Sequence, residues 1–304
     1  MSVLLGYLIV VAIWSTTPLA IKWSGEGSGF LFGVSSRMLI GLLVCVVIMS
    51  LLRRVLPMDK HARLTYVAGS LAVYAAMLSV YWGAQFIPSG LVSVVFGLTP
   101  VLTGIFASLW LREHALTPVK ILGLLLSLAG LVLIFEISLD LSITAAYGVA
   151  GVFVGVIFHS LSTVWIKRIG SDISAMAMTT GCLMLSVPMF LTTWWIFDGA
   201  MPMEVPERTG SAIIYLGIVG SVIGYLMFFY VLKNTTATQV GLIPLITPVL
   251  ALLLGTQLNN EIITANIWTG TALVMFGLSV FQWGHVVWRR RKNASAQKQA
   301  VELE

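Results

Sequence analysis

The sequence predicts an all-α polytopic membrane protein, with ten transmembrane helices arranged as two inverted five-helix repeats. Three observations lead to this prediction: the composition, the length of the apolar segments and an internal repeat. Of the 304 residues, 58% are hydrophobic and 10% are charged, whereas a soluble chain carries roughly 25% charged residues. So few charges cannot cover a soluble globule, which excludes a soluble enzyme. The net charge of +5 does not indicate nucleic-acid binding, because the basic residues are scattered.

Ten apolar segments are long enough to cross a bilayer, which takes about 20 residues of helix. The links at 87–88 and 233–236 are very short and predict helical hairpins. Cys45 and Cys182 lie inside apolar segments, so we expect buried free thiols rather than a disulfide. The ten segments are 4–22, 30–51, 64–86, 89–111, 118–135, 146–167, 174–197, 209–232, 237–258 and 264–288.

The positions of lysine and arginine predict the orientation of the chain, because cytoplasmic loops carry the excess of these residues. With the N-terminus inside, most of the 17 basic residues fall in inner loops or in the C-terminal tail. Only Lys22 and Arg208 then fall in outer loops. We therefore expect a multi-pass membrane protein with both termini in the cytoplasm.

An internal repeat relates the two halves of the chain. The sequence TPVL at 99–102 recurs at 247–250, and a glutamate, Glu113 or Glu261, follows each copy at the same separation. The first helices of the halves also match. The matching pairs there are Trp14 with His159, Ser15 with Ser160, and Lys22 with Lys167. Together these matches predict two copies of one five-helix unit.

Because each unit has an odd number of helices, the second copy must enter the membrane from the opposite side. This is the inverted-topology repeat of many secondary transporters, whose binding sites lie near the midplane. We assign residues 1–140 to the first repeat, residues 141–288 to the second and residues 289–304 to a basic cytoplasmic tail.

The repeated segments resemble the EamA family of the drug/metabolite transporter superfamily. The resemblance covers residues 4–285 and rests on AIWSTTPLAIK at 12–22, TPVLTGIFASLWLREHALTP at 99–118, and the glycines 123 and 130, with counterparts at 247–261 and 270–277. It implies a ten-helix inner-membrane carrier with both termini inside and a central cavity lined by spans 1, 3, 4, 6, 8 and 9. Members of the family mostly move small metabolites, often amino acids outward, and some confer drug resistance.

Polar residues interrupt the first helix of each half. In span 1, Pro18 removes a backbone donor and frees a carbonyl four residues earlier. Such a break either lines the transport pathway or is satisfied by neighbouring hydroxyls. In span 6, His159 is either a functional ionisable residue or a neutral histidine bonded between helices. The cavity candidates from these two spans are Trp14, Ser15, Thr17, His159 and Ser160.

Aromatic residues with polar tips occur at matching places in spans 3 and 8. Such side chains suit an amphipathic organic substrate, although ordinary helix packing is the alternative for each of them. We expect two or three of the set to face the cavity. The set is Tyr81 and Trp82 in span 3, with Tyr225, Phe229 and Tyr230 in span 8.

Further proline and charged residues are candidates for hinges, gates or ion coupling. Arg37 could attract an anionic group, but we favour snorkelling to the headgroups or bonding between helices. Glu113 and Glu261 lie at helix ends, where they could gate or couple transport, and end-capping is the favoured alternative. The candidate hinges or kinks are Pro18, Pro100, Pro244 and Pro248.

The inverted repeat predicts a secondary transporter that works by alternating access, and the family resemblance implies that it exports amino acids or related amphipathic compounds. The alternatives are an importer, a facilitative uniporter or exchanger, and an intramembrane enzyme built around His159. We expect no catalytic activity, cofactor or metal, since no P-loop or HExxH motif is present. The expected partners are a small-molecule substrate and the lipid bilayer, with no nucleic acid, and the chain is expected to be a monomer or weak homodimer.

Overall fold

A computed structural model describes residues 2–111, 117–141, 143–234 and 243–281, except the side chains of 135–141 and 244–246. Over these residues the chain is helical and contains no strand. The ten helices in this part of the chain are α1 (Val3–Ser24), α2 (Phe30–Leu51), α3 (Lys60–Ala84), α4 (Ser89–Trp110), α5 (Pro118–Leu141), α6 (Ile143–Ile169), α7 (Ala175–Phe197), α8 (Glu207–Asn234), α9 (Ile243–Asn259) and α10 (Ala265–Phe281).

Seven of the described helices, α1 to α4 and α6 to α8, are long and apolar enough to cross a membrane. Helix α10 and the Pro118–Ile134 part of α5 are apolar but shorter. Large apolar side chains such as Leu43, Val47 and Leu125 are exposed on the outside of the bundle, as a lipid-facing surface requires. The all-α polytopic class is therefore confirmed, and the count of ten crossings stays a prediction.

Capping residues fix several helix starts. Asp59 accepts hydrogen bonds from the backbone N–H groups of His61 and Ala62, so α3 begins at Lys60 rather than at the predicted residue 64. The prediction placed the start too late because the first turn of this helix is polar. Ser174 caps α7 in the same way, by accepting from the N–H of Ala177 at 3.2 Å.

The two predicted halves are interleaved in the bundle. Helix α2 packs on α7, α3 on α6, and α4 on α9, while α1 lies against both α8 and α9. Helices α5 and α10 meet through glycines, because a Cβ atom on Gly123 would lie 2.6 Å from the carbonyl oxygen of Gly277. Only a residue without a side chain permits this approach.

Two helices contain a widened turn at matching places. The π-helical segments are Leu71–Ala76 in α3 and Leu216–Gly224 in α8. Such segments often occur at functional sites, because they shift the face that the following residues present. Met77 and Tyr225 follow the two segments directly, and both line the cavity described below.

Helix α4 is interrupted at Gly97–Leu98, between Ser89–Phe96 and Thr99–Trp110. Pro100 explains the interruption, since it has no N–H to donate to the carbonyl of Phe96 four residues earlier. The hydroxyl of Thr99 donates to that carbonyl at 2.6 Å instead. The Thr-Pro pair thus breaks the helix and satisfies the carbonyl that the break exposes.

Candidate functional site

A cavity lies inside the bundle at the depth of Trp14, halfway along α1. Its volume is about 70 Å³, on a measure by which one water needs roughly 10–15 Å³. All six helices named by the family resemblance contribute to it, and α2 adds one residue. The lining residues are Trp14, Thr17, Pro18, Ile21, Arg37, Met77, Val80, Val92, Ser93, Phe96, His159, Gly220, Tyr225 and Thr247.

Aromatic rings surround His159. The imidazole lies edge-on to Trp14 at 5.9 Å between centroids and to Phe96 at 5.7 Å, and it lies 5.4 Å from Phe228. Trp14 and Phe228 are stacked at 5.2 Å. His159 is buried, and its described ring contacts are aromatic rather than acidic. This cluster offers π-faces to an organic group inside the cavity.

The hydroxyls beside Pro18 bond to the backbone of α1 itself. Ser15 donates to the carbonyl of Val11 at 2.7 Å, and Thr17 donates to that of Ile13 at 2.7 Å. Thr17 and Pro18 line the cavity, whereas Ser15 is buried outside the lining set. In α6, the predicted candidate Ser160 is also fully buried, and it donates to the carbonyl of Thr99 at 3.3 Å.

Arg37 is buried in the bundle and does not snorkel, since only 2% of its surface is exposed. Its Nε donates to the hydroxyl of Ser221 at 3.0 Å, and its Nη1 donates to the hydroxyl of Tyr81 at 3.2 Å. The guanidinium therefore joins α2 to α3 and α8 and reaches the cavity wall. Gly220 makes room for it, because a Cβ atom there would lie 3.2 Å from Nη2.

The other predicted aromatic candidates lie at different depths. Tyr225 lines the cavity with a buried hydroxyl that has no hydrogen-bond partner. Tyr81 is buried and borders a separate cavity of about 210 Å³, nearer the Lys22 end of the bundle. Phe229 packs on Tyr225, with 6.3 Å between ring centroids. Trp82 is 40% exposed, and Tyr230 packs against α1 at Gly6; neither belongs to the lining set.

A polar network lies at the Lys22 end of the bundle around Glu261, which is nearly buried with 5% of its side chain exposed. Its carboxylate accepts hydrogen bonds from the N–H of Ser89 at 2.9 Å, the hydroxyl of Ser89 at 3.0 Å and the Nδ2 of Asn259 at 3.0 Å. Lys22 lies 3.8 Å away and donates to the carbonyl of Ile87. The network ties the end of α1 to the start of α4 and the end of α9.

A second layer of contacts lies beside this network. The Oδ1 atom of Asn259 accepts from the Nε1 of Trp23 at 2.9 Å and from Arg208 at 2.8 Å. The Arg208 guanidinium lies 4.1 Å from the centroid of the Trp23 ring and 3.9 Å from the carboxylate of Glu26. Arg208 thus adds the start of α8 to the elements held together at this end.

At the opposite end, Lys233 of α8 pairs with Asp172 in the link before α7. The hydrogen bond and positive charge of Lys233 hold the pKa of the Asp172 carboxyl below its usual value. Two of the predicted residues fall partly or wholly outside the described residues. Glu113 lies outside the described residues, as does the side chain of Pro244, while Pro248 is buried within α9.

Sequence reasoning missed several residues that form the cavity and its closure. Met77, Ser93 and Phe96 line the cavity, but each lies in an apolar segment whose sequence does not distinguish cavity-facing residues from the rest. Thr247 also lines the cavity, whereas the repeat alignment only matched it to Thr99. The short link at 87–88 predicted a helix start near Ser89, but nothing in the sequence indicated that Ser89 contacts Glu261.

Known proteins resemble the chain over almost its whole length. An uncharacterized transporter of Archaeoglobus fulgidus is 27% identical over 273 residues, which are 90% of this chain and 95% of the relative. The uncharacterized transporter YoaV of Bacillus subtilis is 26% identical over 278 residues, 91% of this chain and 95% of YoaV. One solved crystal structure shares the fold with a TM-score of 0.66 at 19% identity, over 92% of this chain and 97% of that one.

The family model agrees with these relatives. The model of the EamA-like transporter family matches residues 1–136 and 146–282. Family and relatives are transporters, which argues against the alternative of an intramembrane enzyme. With its multi-pass helical bundle and internal cavity, the chain belongs to the EamA-like transporter family.

Proposed function

We propose that the protein is an alternating-access carrier of the inner membrane that exports amino acids or related amphipathic metabolites. One observation carries the proposal: a cavity deep in the bundle, walled by aromatic rings, hydroxyls and Arg37, is separated from one end by the Glu261 network. A site that is closed on one side of a membrane is what alternating access requires.

The cavity draws on both proposed repeats, residues 1–140 and 141–288, at equivalent places. Trp14 and His159 are repeat partners, and both line the cavity. Met77 and Tyr225 are separated by the spacing that relates Thr99 to Thr247, and they also line it. The two stretches matched by the family model fall one in each proposed repeat. These correspondences support an inverted repeat with the substrate site at the centre.

The size of the cavity supports a closed state. At about 70 Å³, it holds only a few waters, by the roughly 10–15 Å³ needed for each. A metabolite therefore enters only when helices separate. Opening at the Lys22 end requires Glu261 to release Ser89 and Lys22.

The charges at the cavity indicate whether transport is coupled to protons. Among the lining residues of the described chain, no carboxylate is available as a proton relay, and His159 is enclosed by rings. These features favour exchange or facilitated diffusion over proton coupling. The excess of basic residues in the inner loops supports placing the Lys22 end outside the cell.

Counterflow in proteoliposomes tests the proposal. Vesicles loaded with one unlabelled amino acid at a time are assayed for uptake of the same labelled amino acid. We expect saturable uptake for at least one solute, and a loss of more than tenfold in Trp14→Ala because the aromatic cluster collapses. Trp195→Ala, at a position 75% exposed, is the matched control and keeps its rate. The absence of counterflow for every solute would overturn the proposal.

A further inference from the structure

We propose that Arg37 and Tyr225 form the receptor for a single carboxylate group of the transported solute. This inference rests on the proposed function and names the chemical class of its substrate. Both residues line the central cavity, one from α2 and one from α8. The class is a monocarboxylate with a compact apolar or aromatic body, which includes the neutral α-amino acids.

The guanidinium of Arg37 retains hydrogen-bonding capacity. Of its five N–H donors, one on Nε and one on Nη1 are directed to the hydroxyls of Ser221 and Tyr81. These partners are neutral, and the ion pairs found within the described chain all involve other residues. A buried cation without a counter-charge is costly in a medium of low dielectric constant. An anionic ligand in the cavity would supply that counter-charge.

Tyr225 provides an independent observation at the same place. The residue is only 6% exposed, and its buried hydroxyl lacks a hydrogen-bond partner. Buried hydroxyls nearly always have a partner, so one that lacks a protein partner and borders a cavity indicates a ligand or water there. A phenol that donates beside a guanidinium fork matches the two oxygens of a carboxylate.

The charge of Arg37 selects a ligand with a single carboxylate group. Arg37 is the lining residue, among those described, that carries a fixed charge. One carboxylate balances the charge of Arg37, whereas a phosphate monoester would exceed it and leave a net negative charge within the membrane, which is unfavourable. The remaining walls, with Trp14 and Phe96, are aromatic or apolar and suit an organic body or, through cation–π contact, an ammonium group.

Gly220 keeps the Arg37 receptor open. It lies in the widened turn of α8, where an added Cβ would approach Nη2 to 3.2 Å. The short contact means that a larger residue at this position would displace the guanidinium from its two hydroxyl partners. The widened turn and the absence of a side chain therefore serve to place Arg37 at the cavity wall.

The test is a thermal-shift titration of the purified protein in lipid nanodiscs with matched acids and amides. The probes are L-leucine and L-leucinamide, L-phenylalanine and L-phenylalaninamide, and 4-methylpentanoate and its amide, which lack the amino group. We expect the acids to stabilise the protein at concentrations at least tenfold lower than the amides. Glucose 6-phosphate serves as the dianionic probe and is expected to give no shift.

Variants locate the effect. Tyr225→Phe removes a hydroxyl with no partner, so the protein should keep its stability but bind the acids about tenfold more weakly, as for a lost hydrogen bond to a charged group. Tyr7→Phe is the matched control, because Tyr7 has a buried, unpartnered hydroxyl outside the cavity lining. Arg37→Lys keeps the positive charge but removes the paired N–H donors of the guanidinium. We expect its affinity for the acids to fall at least tenfold, while its affinity for the amides is unchanged.

The outcomes separate this inference from the proposed function. Equal stabilisation by acids and amides, together with counterflow of a solute, would overturn the carboxylate receptor and leave the carrier intact. Unchanged acid binding by Tyr225→Phe would likewise overturn the role of its hydroxyl. If no probe binds and no solute shows counterflow, both conclusions are overturned.

Discussion

Substitution of Glu261 by glutamine tests the closure of the Lys22 end most directly. The change keeps the shape of the side chain and removes its charge, so the ion pair with Lys22 is lost. Two unit charges about 4 Å apart attract by about 1 kcal/mol in water and about 4 kcal/mol at an effective dielectric constant of 20. The side chains of Glu261 and Lys22 are 5% and 29% exposed, which places the pair between these limits.

We take the ion pair to contribute about 2 kcal/mol, which corresponds to a shift of about 30-fold in the equilibrium between closed and open states. The assay is the rate at which a membrane-impermeant thiol reagent modifies a cysteine introduced at Ser93, a buried residue of the cavity wall. When the open state is rare, this rate is proportional to its population. Glu261→Gln should therefore accelerate labelling from outside intact cells by about 30-fold.

The control uses a second acid at the same end. Glu26 pairs with Arg208 at 3.9 Å, but these side chains are 43% and 47% exposed. Exposed pairs contribute about 0–1 kcal/mol, so Glu26→Gln should change the labelling rate by no more than about fivefold. The parent protein without the introduced cysteine reports the background from Cys45 and Cys182, which are buried. An unchanged rate in Glu261→Gln would refute the reasoning, and acceleration only from the cytoplasmic side would refute the predicted orientation.

Two further predictions concern the repeat and the helix packing. In the proposed repeat, Glu113, outside the described residues, corresponds to Glu261, and Lys167 corresponds to Lys22. Cysteines at 113 and 167 should therefore form a disulfide when the end opposite Lys22 closes, at higher yield in Glu261→Gln. Equal yields would contradict the repeat pairing. Gly123→Ala should destabilise the protein by roughly 1–3 kcal/mol through overpacking, measured by thermal unfolding in detergent. Gly210→Ala, where the nearest atom to an added Cβ is 3.8 Å away, should not, and equal losses would contradict the packing argument.

The helices were largely predictable from the sequence, because a membrane requires long apolar segments whose lengths can be read directly. The starts of α3 and α8, at Lys60 and Glu207, lie a few residues before the predicted ones, since a polar first turn is invisible to hydropathy. No feature of the sequence predicted the widened turns Leu71–Ala76 and Leu216–Gly224. A π-helical turn depends on what the helix packs against, and such contacts are not encoded in the local sequence.

The repeat alignment paired Trp14 with His159, and in the structure the two rings lie 5.9 Å apart. Arg37 was harder to interpret, because its position along span 2 allowed both snorkelling and bonding between helices. What decides its orientation is the glycine and serine surface of α8, at Gly220 and Ser221. Residues so distant in sequence become neighbours only through the packing of α2 on α8, which no pattern within one helix reveals.

The interruption in α4 connects the closed end to the cavity. The segment Ser89–Phe96 begins at the residue held by Glu261 and ends at a ring that contacts His159. At Gly97–Leu98 the regular pattern of α-helical hydrogen bonds is interrupted by shorter-range ones, such as those from Leu98 to the carbonyl of Val95 and from Val101 to the carbonyl of Leu98, so we expect the helix to bend most easily at this point. If Glu261 releases Ser89 during the proposed transport cycle, we expect the short segment to move more than the second half of the helix. Because Val92, Ser93 and Phe96 of this segment belong to the cavity wall, we expect an opening at the Lys22 end to change the shape of the site as well.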